Sequence, residues 1–204
     1  MMRRTLSAAR CSRLLAAALL ALAASAARAE YQSAQEMDAY VARCVADDMA
    51  LLKSLKLREL WVAPHGEAAN PGTREAPLDF RTAFTDGRRV TPGTVVWVAT
   101  GKYDVGALDQ AGELNGAPGQ PIIYRAAAGA RPTILGELRL RGDHVWLWGL
   151  EIMGPPASGV WVVKGDGIKV VNCVLHENGP PQKPAERKPS GQGIGGWDVG
   201  NDHE

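Results

Sequence analysis

The sequence predicts an all-β fold, a parallel β-helix in which coils of similar length stack into a solenoid. Three observations carry that expectation. LRLRGDHVWLWGLEIMG (138–154) alternates apolar and polar residues, stops at Gly142-Asp143 and alternates again. The rhythm returns as WVVKGDGIKVVNCVLHE (161–177): a shift of 23 carries Gly142 to Gly165, Asp143 to Asp166, Val145 to Ile168, Leu147 to Val170, Leu150 to Cys173 and Ile152 to Leu175. The same shift matches Gly119 to Gly142, Ile122 to Val145, Leu138 to Trp161 and Leu140 to Val163. A period in the low twenties with β-branched alternation fits one coil per repeat, because a lone coil cannot bury its inward side chains until a neighbour covers them. A leucine-rich repeat would need regularly spaced leucines and an asparagine in a fixed frame, which this chain lacks.

Residues 1–29 read as a secretory signal. Arg3, Arg4, Arg10 and Arg13 open the chain without an acid, LLAAALLALAASA follows, and Ala27-Arg28-Ala29 supplies an A-x-A cleavage site. The apolar run is short of the roughly 20 residues that a bilayer span needs, so no membrane span is expected after cleavage and the mature chain is expected in the periplasm or outside the cell. Residues 30–57 are expected to hold an amphipathic helix. Ser33 and Glu36 form a capping box, and Met37, Val41, Cys44, Val45, Leu51, Leu52 and Leu55 fall on one stripe. From Trp61 onward glycine, proline and short β-branched runs take over, so residues 58–204 are expected to be coils of the β-helix, with at most one helical turn near Asp79 to Thr85.

Within the coils, Gly142-Asp143 and Gly165-Asp166 are expected at the same corner of adjacent coils, where glycine tolerates positive φ. Asn172 is expected at another bend. After Asn178 the period breaks: Gly165 finds its counterpart only at Gly200, and the extra residues, GPPQKPAERKPSGQG, cannot continue a strand. They are expected to form a surface loop at about 179–193, and loops on one face of a solenoid commonly form its binding site. The sequence then stops at NDHE, where register places His203 on Ile168. Coil ends normally carry a cap, so the expectation is the amino-terminal part of a longer protein, with a short chain that pairs end to end as the alternative.

Charge narrows the partners. The chain holds 23 Lys and Arg against 22 Asp and Glu, and five of the arginines lie in the signal; the mature chain therefore carries 18 basic and 22 acidic residues, a formal −4. No basic face argues for nucleic acid. Cys44 and Cys173 have no metal-like spacing, and in an oxidising compartment they have the option of pairing.

WVAPHGEAANPGTREAPLDF (61–80), PGTVVWVATGKYD (92–104) and GAPGQPIIYRAAAGARPTILG (116–136) together resemble the opening coils of secreted bacterial right-handed parallel β-helix proteins of the pectate-lyase-like superfamily. The resemblance implies a right-handed solenoid and an acidic or neutral polysaccharide as partner, most directly handled by lyase-type β-elimination; a non-catalytic glycan-binding or adhesion solenoid is the alternative. It also implies that the coils carrying the lyases' basic catalytic residues lie beyond those present here. No cofactor is evident in the residues, and calcium enters only through the resemblance. Elimination needs a base for the proton beside a uronate carboxylate and a cation for the charge that develops. Asp198, Asp202, His203 and Glu204 form the densest polar cluster past the expected loop, and the first three are the catalytic candidates, against a bland reading as solvated corner residues. Trp146 and Trp148 alternate outward from Val145 and Leu147 and are candidates to stack on sugar rings. Arg139 and Arg141 flank inward leucines and are candidates to meet an anionic chain. Trp161, aligned with Leu138, is expected inside. His65 and His144 fall in turns, and His176-Glu177-Asn178 reads as a turn rather than a site.

Overall fold

A computed structural model describes residues 35–36, 38–39, 42–112, 114–154, 158–179 and 192–196. The chain divides into two compact units, Met1–Ser54 and Leu55–Glu204. In the first, residues 42–54 are helical (α1), as are 35–36 and 38–39. Cys44, Val45, Asp48, Met49 and Leu52 are its less exposed positions, one helical turn apart. α1 stops at Ser54, whose hydroxyl donates to the Leu51 carbonyl at 2.7 Å, rather than at Leu57. Ser33 of the expected capping box lies outside the described residues, as do the signal and the segment 180–191 of the expected loop. Among the described residues no helix is long and apolar enough to cross a membrane.

The second unit is a stack of parallel strands. β1 (Arg58–Val62), β2 (Thr94–Val98), β4 (Ile122–Ala126), β6 (Val145–Trp148) and β9 (Lys169–Val171) pair in that order as one sheet. β3 (Gly101–Asp109), β5 (Pro132–Leu140), β7 (Glu151–Met153), β8 (Ser158–Val162), β10 (Val174–His176) and β11 (Gln192–Gly196) form the other. β5 is long enough to serve two columns: Thr133–Leu135 pair with β7 and Leu138–Leu140 with β8. Each coil therefore has a first, a second and a third strand position. In β3 and β5 the second and third positions run on through a bulge at Gly106 and Gly136, whereas in the later coils residues 154–157 and 177–191 separate them.

The registers explain the repeat. Ile122 pairs with Val145, Leu147 with Val170 and Ile152 with Leu175, so the shift of 23 joins true neighbours, and Val145 and Ile168 stand one residue before paired positions. Leu60, Val96, Tyr124, Leu147 and Val170 make one inward column through five coils. The first four of these are buried in a core with Val98, Ile134, Leu138, Leu140, Ile152 and Val160, each worth about 1.5–3 kcal/mol of apolar burial. At the start of the stack, α2 (Phe80–Thr85) is capped by Asp79, which accepts from the Thr82 amide at 2.8 Å. It packs Phe84 on Tyr124 with ring centroids 5.2 Å apart, and the Tyr124 hydroxyl donates to the Ala83 carbonyl at 2.9 Å.

Three expectations need correction. Leu140 pairs with Val162, not Val163, and Leu138 with Val160, so Trp161 stands beside Arg139 on the outer surface rather than inside. The corner preceding Gly142 is Leu114-Asn115: the Asp143 amide donates to Asn115 Oδ1 at 3.0 Å, while Gly119 belongs to a projecting turn closed by Ala117 and Gln120. Glycine is needed at 142 for close approach, since a Cβ there would lie 2.0 Å from the Leu114 carbonyl oxygen; positive φ is found at Gly165 (124°) but not at Gly142. Asn172 does occupy a bend, with φ 50°, in register with Gly149 at φ 68° one coil earlier. Asparagine is among the few residues that accept that conformation at low cost.

Candidate functional site

Alternation along the third strand position decides which side chains can meet a ligand. Leu138 and Leu140 point into the core, so Glu137, Arg139 and Arg141 face outward. Parallel register sets Arg139 between Asp109 of the preceding coil and Trp161 of the next. Arg139 Nε reaches Glu137 Oε1 at 2.5 Å and its Nη1 reaches Asp109 Oδ2 at 3.4 Å. Arg141 places Nε and Nη2 at 3.0 and 2.9 Å from Asp109 Oδ1. Glu137, only 3% exposed, also accepts from the Ser158 amide of β8 at 3.0 Å. Gln110 Oε1 takes the amides of Arg141 and Gly142 at 3.0 and 3.1 Å.

The result is a pair of oriented guanidiniums on a rigid strand, half-exposed and backed by two carboxylates. The hydrogen bond that Arg139 donates to Glu137 holds its guanidinium above the ordinary pKa. Two cations against two anions leave the cluster without net charge, so it would recognise a carboxylated ligand by the geometry of its remaining N–H donors rather than by a long-range field. β11 pairs with β8 in this same column. β11 begins at Gln192, inside the stretch expected to be loop.

Of the residues named from sequence, the structure brings Arg139 and Arg141 together and adds Trp161, Asp109 and Glu137. Trp146 and Trp148 lie elsewhere, on the outer side of the first-position sheet. They alternate away from the core cluster as expected, yet are only 4% and 5% exposed. Lys169 Nζ stands 4.5 Å from the Trp146 ring and the Arg125 guanidinium 5.0 Å from the Trp148 ring. Neither indole presents a bare face for a sugar, because strand neighbours supply cations over them. Asp198, Asp202, His203 and Glu204 lie outside the described residues. His176 is a strand residue, not a turn: its Nε2 lies 2.9 Å from Glu151 Oε1, and Glu151 Oε2 accepts from the Thr133 hydroxyl at 2.8 Å. Asp109 escaped the sequence reading because its partner Arg141 is 32 residues away, which is no multiple of the repeat.

A calcium cage needs several carboxylate or carbonyl oxygens converging on one point. Among the described residues no group of three or more His, Cys, Asp or Glu side chains is so placed. The described residues bring no such cage together.

Stacked parallel coils with a continuous core and a charged outer strand face define a parallel β-helix. Pectate lyase L of Paenibacillus polymyxa (strain SC2) is similar to this chain, 24% identical over 143 residues, covering 65% of this chain and 31% of that protein. The crystal structure of pectate lyase Pel9A superposes with a TM-score of 0.50 at 22% identity, over 61% of this chain and 35% of the other. The chain thus spans about a third of the length of these two relatives. No family model matches it.

Proposed function

We propose that this β-helix engages an acidic polysaccharide along its third-strand face, as part of an exported polysaccharide-lyase-like protein. The observation that carries the reading is the Arg139–Arg141 pair, fixed by Asp109 and Glu137 beside Trp161 of β8. Such a surface offers guanidinium N–H donors to uronate carboxylates. The likeness to pectate lyase L supports elimination as the chemistry. Residues 1–29 support export to the periplasm or beyond. In elimination, Arg139 or Arg141 would stabilise the charge that develops next to the uronate carboxylate once its neighbouring proton is taken. The base would come from outside the described residues, where Asp198, Asp202 and His203 are the candidates.

One observation favours a second reading, a non-catalytic glycan-binding solenoid. Asp109 and Glu137, the carboxylates on the face, have their oxygens engaged by Arg139, Arg141 and the Ser158 amide, so neither is placed to take a proton from a substrate. Incubation of the protein with polygalacturonate, alginate and glycosaminoglycans, followed by absorbance of the unsaturated product, separates the two. Product formation supports the lyase. Retention on immobilised polygalacturonate without turnover, lost in Arg141→Gln, supports the binding module. Neither product nor retention on any acidic glycan would remove both.

A further inference from the structure

A cavity of about 300 Å³ lies away from the third-strand face, at the bend that leaves the first-position sheet. One wall exists because this bend is longer after β4 than after β6. Arg125 and Trp148 are register partners, as are Thr133 and Glu151, yet the chain takes from 125 to 133 to cross the first bend and only from 148 to 151 to cross the second. The extra residues, Ala127 to Ala130, are tied down by the Ala127 amide on the Val98 carbonyl at 3.0 Å and the Ala130 amide on the Ala127 carbonyl at 2.8 Å. The Arg131 amide adds a bond to the Thr100 hydroxyl at 3.1 Å. Small side chains keep the space beside them open. The facing wall comes from the loop after β1, which brings His65, Arg74 and Pro77, held in shape by Asn70 Nδ2 donating to the Pro77 carbonyl at 2.8 Å. Trp61 is half-buried between the walls, with the Arg74 guanidinium 5.3 Å from its ring and Trp97 6.1 Å away on the next coil.

The lining is chemically one-sided. It holds an indole, a guanidinium, an imidazole and the Thr100 hydroxyl, and no carboxylate is among its lining residues. Walls tied by hydrogen bonds, room for one hexose ring and a guanidinium with no carboxylate among the lining residues are the properties of a site for a carboxylated sugar. We propose that this cavity is a second carbohydrate site, separate from the third-strand face, which takes a single uronate ring of an acidic polysaccharide and anchors the chain. Arg74, held over the Trp61 indole, clamps the carboxylate, and Thr100 and His65 meet the ring hydroxyls. The choice of ligand rests on the acidic-polysaccharide reading above; the site itself rests on its own walls.

Calorimetric titration with tri-galacturonic acid tests it. Arg74→Gln, a change on an exposed loop residue, is expected to weaken trimer binding about tenfold, the usual consequence of losing one charge-assisted hydrogen bond. Ala128→Trp, also at an exposed position, fills the cavity and is expected to abolish binding there while leaving thermal unfolding unchanged. Galactotriose, of the same length without carboxylates, is expected not to compete. Trimer affinity unaltered by both substitutions but lost in Arg141→Gln would overturn the second site and leave the third-strand reading standing. Equal binding of galactotriose would overturn the anionic assignment. Wild-type retention on polygalacturonate, measured separately, reports on the polysaccharide reading itself.

Discussion

The main-chain amide of Asp166 donates to Oδ1 of Asp143, 2.9 Å away in the preceding coil. The amide of Asp143 in turn donates to Oδ1 of Asn115 at 3.0 Å. The short side chain at one corner thus satisfies the amide of the corner stacked on it, which is why the Gly-Asp pair repeats. The acceptor matters here and the charge does not. Asp143→Ala is expected to lower unfolding stability by about 1 kcal/mol, and Asp143→Asn to leave it unchanged or raise it slightly by relieving the repulsion from Asp166. Urea unfolding of the two variants checks this; equal losses would show that the ladder has no such role.

That corner was legible in the sequence because its chemistry is local and its spacing constant. Trp161 was not, since the period of 23 is a net value over corners of different lengths. From the coil of β5 to the next, the second strand is offset by 18 residues (Thr133 to Glu151) and the third by 22 (Leu138 to Val160), whereas the first strand is offset by 23 from β4 to β6 (Ile122 to Val145). A single shift applied everywhere is therefore off by one in the third column, and one residue reverses the face of a strand side chain. The candidate site was half legible for a related reason. Strand parity exposes Arg139 and Arg141, but the carboxylate that orients both is set by the distinct length of the coil before them. Parity likewise turned Trp146 and Trp148 outward without revealing the cations that cover them.

Gly136 and Gly106 pair across the bulge that bends β5 and β3, yet they should respond differently to the same substitution. A Cβ on Gly136 would lie 2.0 Å from the Gly106 carbonyl oxygen and must also accept φ 134°. A Cβ on Gly106 meets nothing within 4 Å and faces only its φ of 59°. Gly106→Ala is expected to cost about 1 kcal/mol, whereas Gly136→Ala should cost on the order of 3 kcal/mol or more, as backbone clashes in cores do. Thermal unfolding of both variants gives the comparison. Equal losses would mean that conformation, not contact, sets the requirement at the bend.

Glu151 links three coils by accepting from Thr133 of the coil before and His176 of the coil after. Those two hydrogen bonds, His176 first, with Lys102 nearby, hold its carboxyl below the ordinary value of 4.5. A carboxyl depressed in the folded state contributes stability above its unfolded pKa and loses it as pH falls through the folded value. Stability should therefore decline on acidification below about pH 4.5, the ordinary value for a glutamate carboxyl. The slope should be shallow, because solvent screens so exposed a pair. Glu151→Gln is expected to flatten that slope. An unchanged slope in this variant would assign the acid sensitivity to other carboxylates.

Asp109 sets orientation against charge at the proposed polysaccharide face. It anchors Arg141 and touches Arg139, and it also cancels one of their charges. Asp109→Asn keeps the shape and raises the cluster from neutral to a net charge of about +1 by the ordinary ionisation of these groups. If the guanidiniums meet carboxylates of the glycan, this variant should bind polygalacturonate several-fold more tightly at low salt and show a steeper salt dependence. Its folding stability should fall by up to about 1 kcal/mol, the range for half-exposed ion pairs. Arg141→Gln should move affinity the opposite way. Affinity electrophoresis in polygalacturonate gels at two salt concentrations reads both variants side by side. Equal weakening in the two would mean that Asp109 acts by holding Arg141 in place, with positioning outweighing the charge it cancels.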